Sequence, residues 1–403
     1  MGADVGERRT KICFPFSGDV IGGSHISVLG LLRNLDRRRF EAVVFVESSD
    51  SDIARLMRNA DVELVAVGPM PALRHGKRAE WRDAISIATR SAAMARLLRD
   101  YAIDIVHTND GRTHATWALA AKLAGAQLVW HHRGAPDARG LRFVAPHIAD
   151  AVVAVSEFAI GGNARRSPRA RVIHSPFDTN IRVDRAARRQ LLLDELGCGS
   201  DTRLLGFFGV LIARKRPLLF IEAIAALRRI APDVPVQGLI FGQPLEIDAD
   251  AVRAHAERHD VADAIRLMGF RQPGADWIAA CDLLMVPAVD EPFGRTLIES
   301  MLVGTPIVAT RSGGNVEALR DGALGLLVRP ENPAALAQGA IELLRDMPRY
   351  QAFAAEARAH ALDHFGEDRH ARAVMALYEE LVPRAPAEPL RREPITAAST
   401  APL

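Results

Sequence analysis

Two glutamates in the stretch DEPFGRTLIESMLVGTPIVAT, residues 290–310, carry the clearest chemistry in the chain. Glu291 and Glu299 have seven residues between them, and a Pro-Phe-Gly turn follows the first. An ionised carboxylate only accepts hydrogen bonds, and it can hold two hydroxyls at once, so a diol is a natural partner. The spacing predicts a helix that begins near Arg295 or Thr296 and stops at Gly304. The first N–H groups of such a helix lack partners and make an anion site suited to a phosphate or diphosphate. Pro292 cannot donate, which leaves Phe293, Gly294, Arg295 and Thr296. Gly294 would let a ligand come close to the backbone. Glu299, one turn into the helix, is placed for a ribose diol. Glu291, ahead of it, would face a sugar ring across the phosphates. One carboxylate per sugar with a diphosphate between them describes a nucleotide-sugar. A bare pair at this spacing is also what a dipole-favoured first-turn glutamate and a surface glutamate look like.

These residues need a scaffold, and the chain supplies a repeating one. Apolar runs at 11–16, 41–46, 63–68, 103–109, 127–132 and 151–156 alternate with helical stretches, and 171–178 closes the series. Such alternation predicts parallel β-α-β units. Ser24 is a candidate N-cap for the first helix. The pattern restarts with strand candidates at 203–211, 235–242, 264–270, 283–288, 306–310 and 325–328. Asn332-Pro333 reads as an N-cap and first helical position. The expected fold is α/β, with two doubly wound, Rossmann-like domains facing across a cleft. Ligands of such sheets sit outside the carboxyl ends of the strands. The expected divisions are 1–178, then 179–364, then a C-terminal helix over 365–383 whose apolar stripe is Met375, Leu377, Tyr378 and Leu381, then a disordered tail over 384–403.

Composition narrows the function classes. At 403 residues and 49% hydrophobic content, the chain is too long for one ordinary core. The net charge of +2 divides as +6 over residues 1–180 and −4 over the rest. Arg37–Arg39, Lys77 with Arg78 and Arg82, and the group Arg165, Arg166, Arg169 and Arg171 are either solvated faces or a surface for an anionic acceptor or membrane. They are scattered and carry no reading element, so nucleic acid is not an expected partner. Cys13, Cys198 and Cys281 form an odd set without metal spacing, as expected of unpaired thiols in a reducing cytoplasm. The first residues lack a signal peptide's apolar core, and no run of about 18 apolar residues predicts a membrane span, so membrane contact would be peripheral.

The stretch PAVDEPFGRTLIESMLVGTPIVATRSGGNVEAL resembles the donor-site signature of family 4 glycosyltransferases, which have the GT-B fold. The matching features are Glu-Pro-Phe-Gly, the second glutamate, Gly304-Thr-Pro and Gly313-Gly314 followed by Glu317. The resemblance implies that Glu291 approaches the donor sugar and Glu299 binds the ribose. It extends to GFFGVLIARKRPLLFIEAI, residues 206–224, where Lys215 falls on the family's diphosphate-binding lysine. The family's arginine falls on Val210, so Arg214 or Arg216 is the expected substitute. Gly22-Gly23 matches the glycine pair of the first strand-to-helix loop. After the strand LVWHH, the family's histidine position falls among His131, His132 and Arg133. Alternation along a strand points His131 and Arg133 one way and His132 the other. His107, Ser156 and Glu157 are weaker cleft candidates. Loops near Gly242 and Phe270 are expected at the base. The last helix is expected to cross back onto the first domain.

The implied activity is retaining, metal-independent sugar transfer from a nucleotide-diphosphate sugar to a glycan, lipid or small-molecule acceptor, in bacterial surface polysaccharide or glycolipid synthesis. No cofactor is implied. Asp50-Ser-Asp52 and Asp248-Ala-Asp250 match the metal-binding motif of a different transferase fold but stand in poor positions for it, and no His/Cys cluster offers a metal site by spacing. A non-catalytic nucleotide-sugar-binding protein on the same scaffold is the alternative, suggested by Val210. An epimerase or phosphorylase fits the Glu-Pro-Phe-Gly stretch poorly.

Overall fold

The central apolar runs become strands buried on both faces, as parallel sheets covered by helices require. The computed structural model describes residues 8–69, 81–167 and 169–383. The first sheet contains β1 (Thr10–Pro15), β2 (Phe40–Val46), β3 (Glu63–Ala66), β4 (Ile105–Thr108), β5 (Gln127–His132), β6 (Ala151–Ala154) and β7 (Arg171–Val172). The second contains β8 (Arg203–Phe208), β9 (Val236–Phe241), β10 (Ile265–Gly269), β11 (Leu283–Val286), β12 (Ile307–Thr310) and β13 (Leu326–Val328). Their orders are β3-β2-β1-β4-β5-β6-β7 and β10-β9-β8-β11-β12-β13. Every pairing is parallel, as the alternation of strands and helices predicted. In each sheet the order reverses beside the first strand, between β1 and β4 and between β8 and β11. Those switch points are where doubly wound sheets open a crevice.

Local signals set the helix ends. Asp110 accepts from the N–H groups of Arg112 and Thr113 to start helix 111–124, and Gly125, at φ +83°, ends it. Asn332 accepts from the Ala335 N–H, with Pro333 next, as expected. Gly304, at φ +72°, ends the helix Arg295–Val303. Ser24 is not the first cap: Gly22 holds the cap position, and helix Gly23–Arg33 starts two residues earlier than a Ser24 cap would place it. His25, at the third helical position, accepts the Gly22 N–H on its ring at 2.9 Å, the part that the third residue plays in a capping box.

The last helix, Glu367–Leu381, packs against the first sheet and its first helix. Leu377, Tyr378 and Leu381 bury among Leu31, Leu32 and Phe40. Tyr378 meets Phe40 at 5.7 Å between rings and its hydroxyl lies 2.5 Å from His107 Nδ1. Arg39 pairs with Glu379, and Arg171 pairs with Glu380 at 2.6 Å. Arg37 donates to the Leu32 and Ala60 carbonyls, and Arg165 pairs with Glu157. Much of the basic charge read as an anionic-surface contact is therefore engaged inside the protein. Lys77, Arg78 and the tail 384–403 lie outside the described residues. No helix among the described residues is long and apolar enough to cross a membrane.

Candidate functional site

Glu291 sits on the turn after β11, and two glycines set its position. Gly314 donates its N–H to the Glu291 carbonyl at 2.7 Å. A Cβ on Gly313 (φ +56°) would lie 2.7 Å from the Glu291 backbone nitrogen, and one on Gly314 would collide with Pro292. Gly313-Gly314 thus lets two backbones touch where a side chain would separate them. Glu291 is 7% exposed, and its carboxylate accepts from Lys215 Nζ at 2.8 Å and from Arg214. Burial pushes the carboxyl up, but Lys215 and Arg214 outweigh it and hold it below the usual carboxylate range. Two cations share this one carboxylate, so a positive charge remains for an incoming anion. Arg216, an equal candidate by sequence, does not join them. Its backbone is left-handed at φ +56°, and its side chain turns to Glu331 at 2.7 Å.

The helix after Gly294 opens without a side-chain cap. Arg295 spans the two lobes: it donates to Ser27 Oγ at 3.1 Å and to the Pro176 carbonyl at 3.3 Å, and stacks over Phe177 at 4.2 Å. Gly23 lies against it, for a Cβ there would be 2.8 Å from Arg295 Cδ. The glycine pair of the first loop therefore makes room for a side chain of the other lobe. Glu299 is 3.7 Å from Arg295 Nε and its side chain is 27% exposed. Burial raises its carboxyl, with Arg295 and Lys215 offsetting only part. Thr296 is half-buried beside it. Phe293 stacks on His174 at 4.8 Å, and His174 pairs with Glu317 at 2.7 Å. Ser156 and Glu157 also face the other lobe: Ser156 donates to the Pro292 carbonyl, and the Glu157 N–H donates to Glu317 at 2.7 Å.

The ends of the second sheet's first three strands are glycines with positive φ: Gly209 (+152°), Gly242 (+150°) and Gly269 (+67°). A Cβ on Gly242 would collide with the Gly209 carbonyl, and one on Gly209 would touch the Lys215 stem at 3.5 Å. Gly242 is thus a packing requirement that also keeps this edge bare. Phe270 beside it is 60% exposed, and Val210 is 43% exposed.

A cavity of about 1070 Å³ separates Glu291, Phe293, Gly294 and Arg295 from the strand ends of the first sheet. Arg133 lines it, donating to Ser175 Oγ at 3.1 Å and Asn109 Oδ1 at 3.2 Å. Burial and the neighbouring Arg295 push its guanidinium down to about 9. His132 also lines the cavity, its ring fixed by the Ala135 carbonyl at 2.9 Å. His131 does not line it. It is fully buried, 3.0 Å from His107 Nε2 and 3.4 Å from Arg133, on the side that alternation predicted. His107 continues that chain to Tyr378. Burial holds both histidines well below their ordinary pKa. Asn109, Asp110, His114 and Ser175 at the cavity escaped the sequence reading. The signal for the first three was their place just past β4, since strand ends face the cleft.

Both Asp-x-Asp stretches have local duties. Asp248 caps helix 249–258 and Asp250 pairs with Arg253 at 2.6 Å, while Asp52 pairs with Arg55. One group escaped spacing: Glu222, His255 and His259, from two packed helical segments, hold ligand atoms within 4.8 Å of one another and could share a metal ion. None of the three lines the cavity.

Comparison with known proteins places this geometry. The family description "Glycosyltransferase Family 4" matches residues 21–181, and "Glycosyl transferases group 1" matches residues 202–346. A D-inositol 3-phosphate glycosyltransferase of Salinispora arenicola is 28% identical, over 91% of this chain and 89% of that protein. A lipopolysaccharide core biosynthesis mannosyltransferase of Rhizobium meliloti is 30% identical over 46% of this chain and 54% of its own. Among solved structures, Anabaena Alr3699/HepE, in complex with UDP and glucose, superposes with a TM-score of 0.75 at 22% identity, covering 92% of this chain and all of that one. The fold is that of the GT-B glycosyltransferases. Relatives named as transferases decide for an enzyme over the binding-protein alternative.

Proposed function

The chain belongs to glycosyltransferase family 4, and from that premise we propose that it is a retaining, metal-independent transferase acting on a nucleotide-diphosphate sugar. One observation carries the proposal. Lys215 and Arg214 converge on the buried Glu291 at the mouth of a helix that has no side-chain cap. A diphosphate entering there meets a lysine, a guanidinium and unpaired N–H groups, which together stabilise the charge of a departing phosphate. Because Lys215 and Arg214 share Glu291, the diphosphate would draw one cation off and free a carboxylate oxygen for a sugar hydroxyl. Glu291 then orients the sugar and steadies positive charge at the anomeric carbon. Glu299 holds the ribose. Arg214 supplies the guanidinium that Val210 lacks.

In this reading the departing diphosphate takes the acceptor's proton, and the new bond forms on the face the donor leaves. Lys215 and Arg214 do the charge work that a divalent metal does in other transferases. The bare edge of Gly209, Gly242 and Gly269 leaves backbone groups to read the base. A reducing cytoplasm suits the free thiols of Cys13 and Cys281, both buried. Peripheral contact with the membrane's inner face, and a role in surface polysaccharide or glycolipid synthesis, belong to the same proposal. The test is a thermal-shift panel of UDP-, GDP- and ADP-sugars, followed by transfer with the best binder in excess EDTA and determination of the product's anomeric configuration. An inverted product, or loss of transfer on chelation, overturns the corresponding part. A flat panel overturns donor binding.

A further inference from the structure

The cavity facing Glu291 is large, and apolar side chains make up most of its wall. Its volume of about 1070 Å³ lies just above the range typical of pockets that enclose a whole drug-sized ligand. Its polar groups gather around Arg133, which binds Asn109 and Ser175. Asp110, His114 and Arg139 also reach the lining, and most of the rest of the wall is hydrocarbon. Helix 111–124 presents Ala115, Ala118 and Leu119, which share one face at helical spacing. Opposite them stand Leu141, Val144 and Ile148, from the two short helices after β5. Trp130, stacked on His114 at 4.1 Å, completes the lining. Leu119 and Val144 line the cavity yet are 38% and 44% exposed, and the neighbouring Phe143 is 59% exposed. The apolar wall therefore continues to the outside.

Resting on the transfer reading above, we propose that the acceptor's hydroxyl is carried by a hydrocarbon chain, with the hydroxyl beside Glu291 and Arg133 and the chain along helix 111–124 toward Leu119 and Val144. A glycan would leave its hydroxyls unpaired against this wall, at a cost that hydrogen bonds elsewhere would have to offset. An alkyl chain gains from the same wall by leaving water. The alanines at positions 115 and 118 leave the width that a chain needs. The exposed Leu119 and Val144 give a long chain an exit, so that it need not fit entirely inside.

The test uses the full chain and methyl, octyl and dodecyl β-glucosides below their micelle concentrations, with binding followed by calorimetry. Affinity should rise about threefold to fourfold per methylene that enters, then level off once the wall is covered. Leu119→Asp should abolish most of that rise, at least tenfold for the dodecyl compound. Ala115→Phe should make the levelling-off come at a shorter chain. An unchanged melting temperature shows that each variant is folded. Equal affinity for methyl and dodecyl glucosides, or a chain-length dependence untouched by both substitutions, overturns the proposal. The nucleotide-sugar panel is read separately. Donor binding without chain-length dependence removes only the hydrocarbon site. Chain-length dependence without any donor binding keeps that site and removes the transfer reading.

Discussion

The two lobes share a topology and treat their strand ends in opposite ways. In the second, three glycines with positive φ clear the edge, and Lys215 and Arg214 sit on Glu291 beside a helix start. Charge is concentrated and partly accessible there. In the first, the strand ends carry fully buried histidines, and the cavity beyond them is lined by alanine, leucine and valine. The polar groups at its strand ends have neutral partners: Arg133 is held by Asn109 and Ser175, His132 by a carbonyl. One scaffold thus offers an electrostatic grip on one side and an apolar bed on the other. Because the first six strands follow the same order in both sheets, the specialisation lies in the residues just past each strand.

If that contrast is right, removing a cation from the second lobe should cost more than any change in the first. Lys215→Ala leaves Glu291 paired with Arg214, so the fold should survive. Turnover should fall about 100- to 1000-fold, the range for losing one donor to a developing negative charge, while the donor dissociation constant changes far less. Full activity in steady-state assays of the variant would remove Lys215 from the mechanism and blur the contrast. Next in size is Glu299→Ala. Loss of a charged hydrogen bond to a diol should weaken donor binding by about 1–3 kcal/mol. Burial raises the Glu299 carboxyl, so donor affinity should begin to fall on acidification at a higher pH than for an ordinary glutamate. Glu299→Gln should flatten that dependence. An unchanged donor dissociation constant in Glu299→Ala ends the ribose assignment.

The seam between the lobes sharpens the comparison with a smaller effect. Gly23→Ala places a methyl 2.8 Å from Arg295 Cδ, and Arg295 is the side chain that joins Ser27 and Pro176 to helix 295–303. Displacing it should raise the donor dissociation constant severalfold and leave the melting temperature lower by a few degrees, with the loss of about 1 kcal/mol typical of a strained contact. Calorimetry and a thermal melt measure both. If neither moves, Gly23 has no need to be glycine for this contact.

What could be read from the sequence follows the same division. The strands, their parallel order and the stop at Gly304 were legible because apolar runs and glycine punctuation are local signals. Glu291, Glu299 and Lys215 were legible because their neighbours form a long motif. Arg214 and Arg216 were not separable, since a single left-handed residue, Arg216 at φ +56°, decides which of them reaches Glu291. Gly23 and Gly242 were expected to face the donor. Their tightest contacts are with Arg295 and Gly209, distant in sequence, and no local pattern announces these. A cleft between the lobes was expected from the fold, but its apolar lining was not legible. Ala115, Ala118 and Leu119 look like any helix face turned to a core, and only the assembled lobe shows that part of this face meets open space.

The smallest predicted effect belongs to the histidines of the first lobe. His107, His131 and His370 are buried beneath the strand ends, and burial holds all three below their ordinary pKa, His370 at about 3. Each is neutral in the folded protein at pH 6.5, whereas the unfolded chain takes up a proton at each near that pH. The unfolded state therefore binds more protons as the pH falls below about 6.5, and stability drops with it; for His370 the loss continues down to about pH 3. One such group contributes about 1 kcal/mol between pH 6.5 and 5.5. His370→Asn keeps a donor for the His174 carbonyl, now 2.7 Å from His370 Nδ1, and removes one titrating group. Urea unfolding at pH 6.5 and 5.5 should show the variant losing about 1 kcal/mol less than the parent across that step, whatever its stability at the higher pH. Taking the difference within each protein cancels the cost of the substitution itself. Equal losses would mean that His370 is protonated in the folded state, and the first lobe would then hold buried charge as the second does.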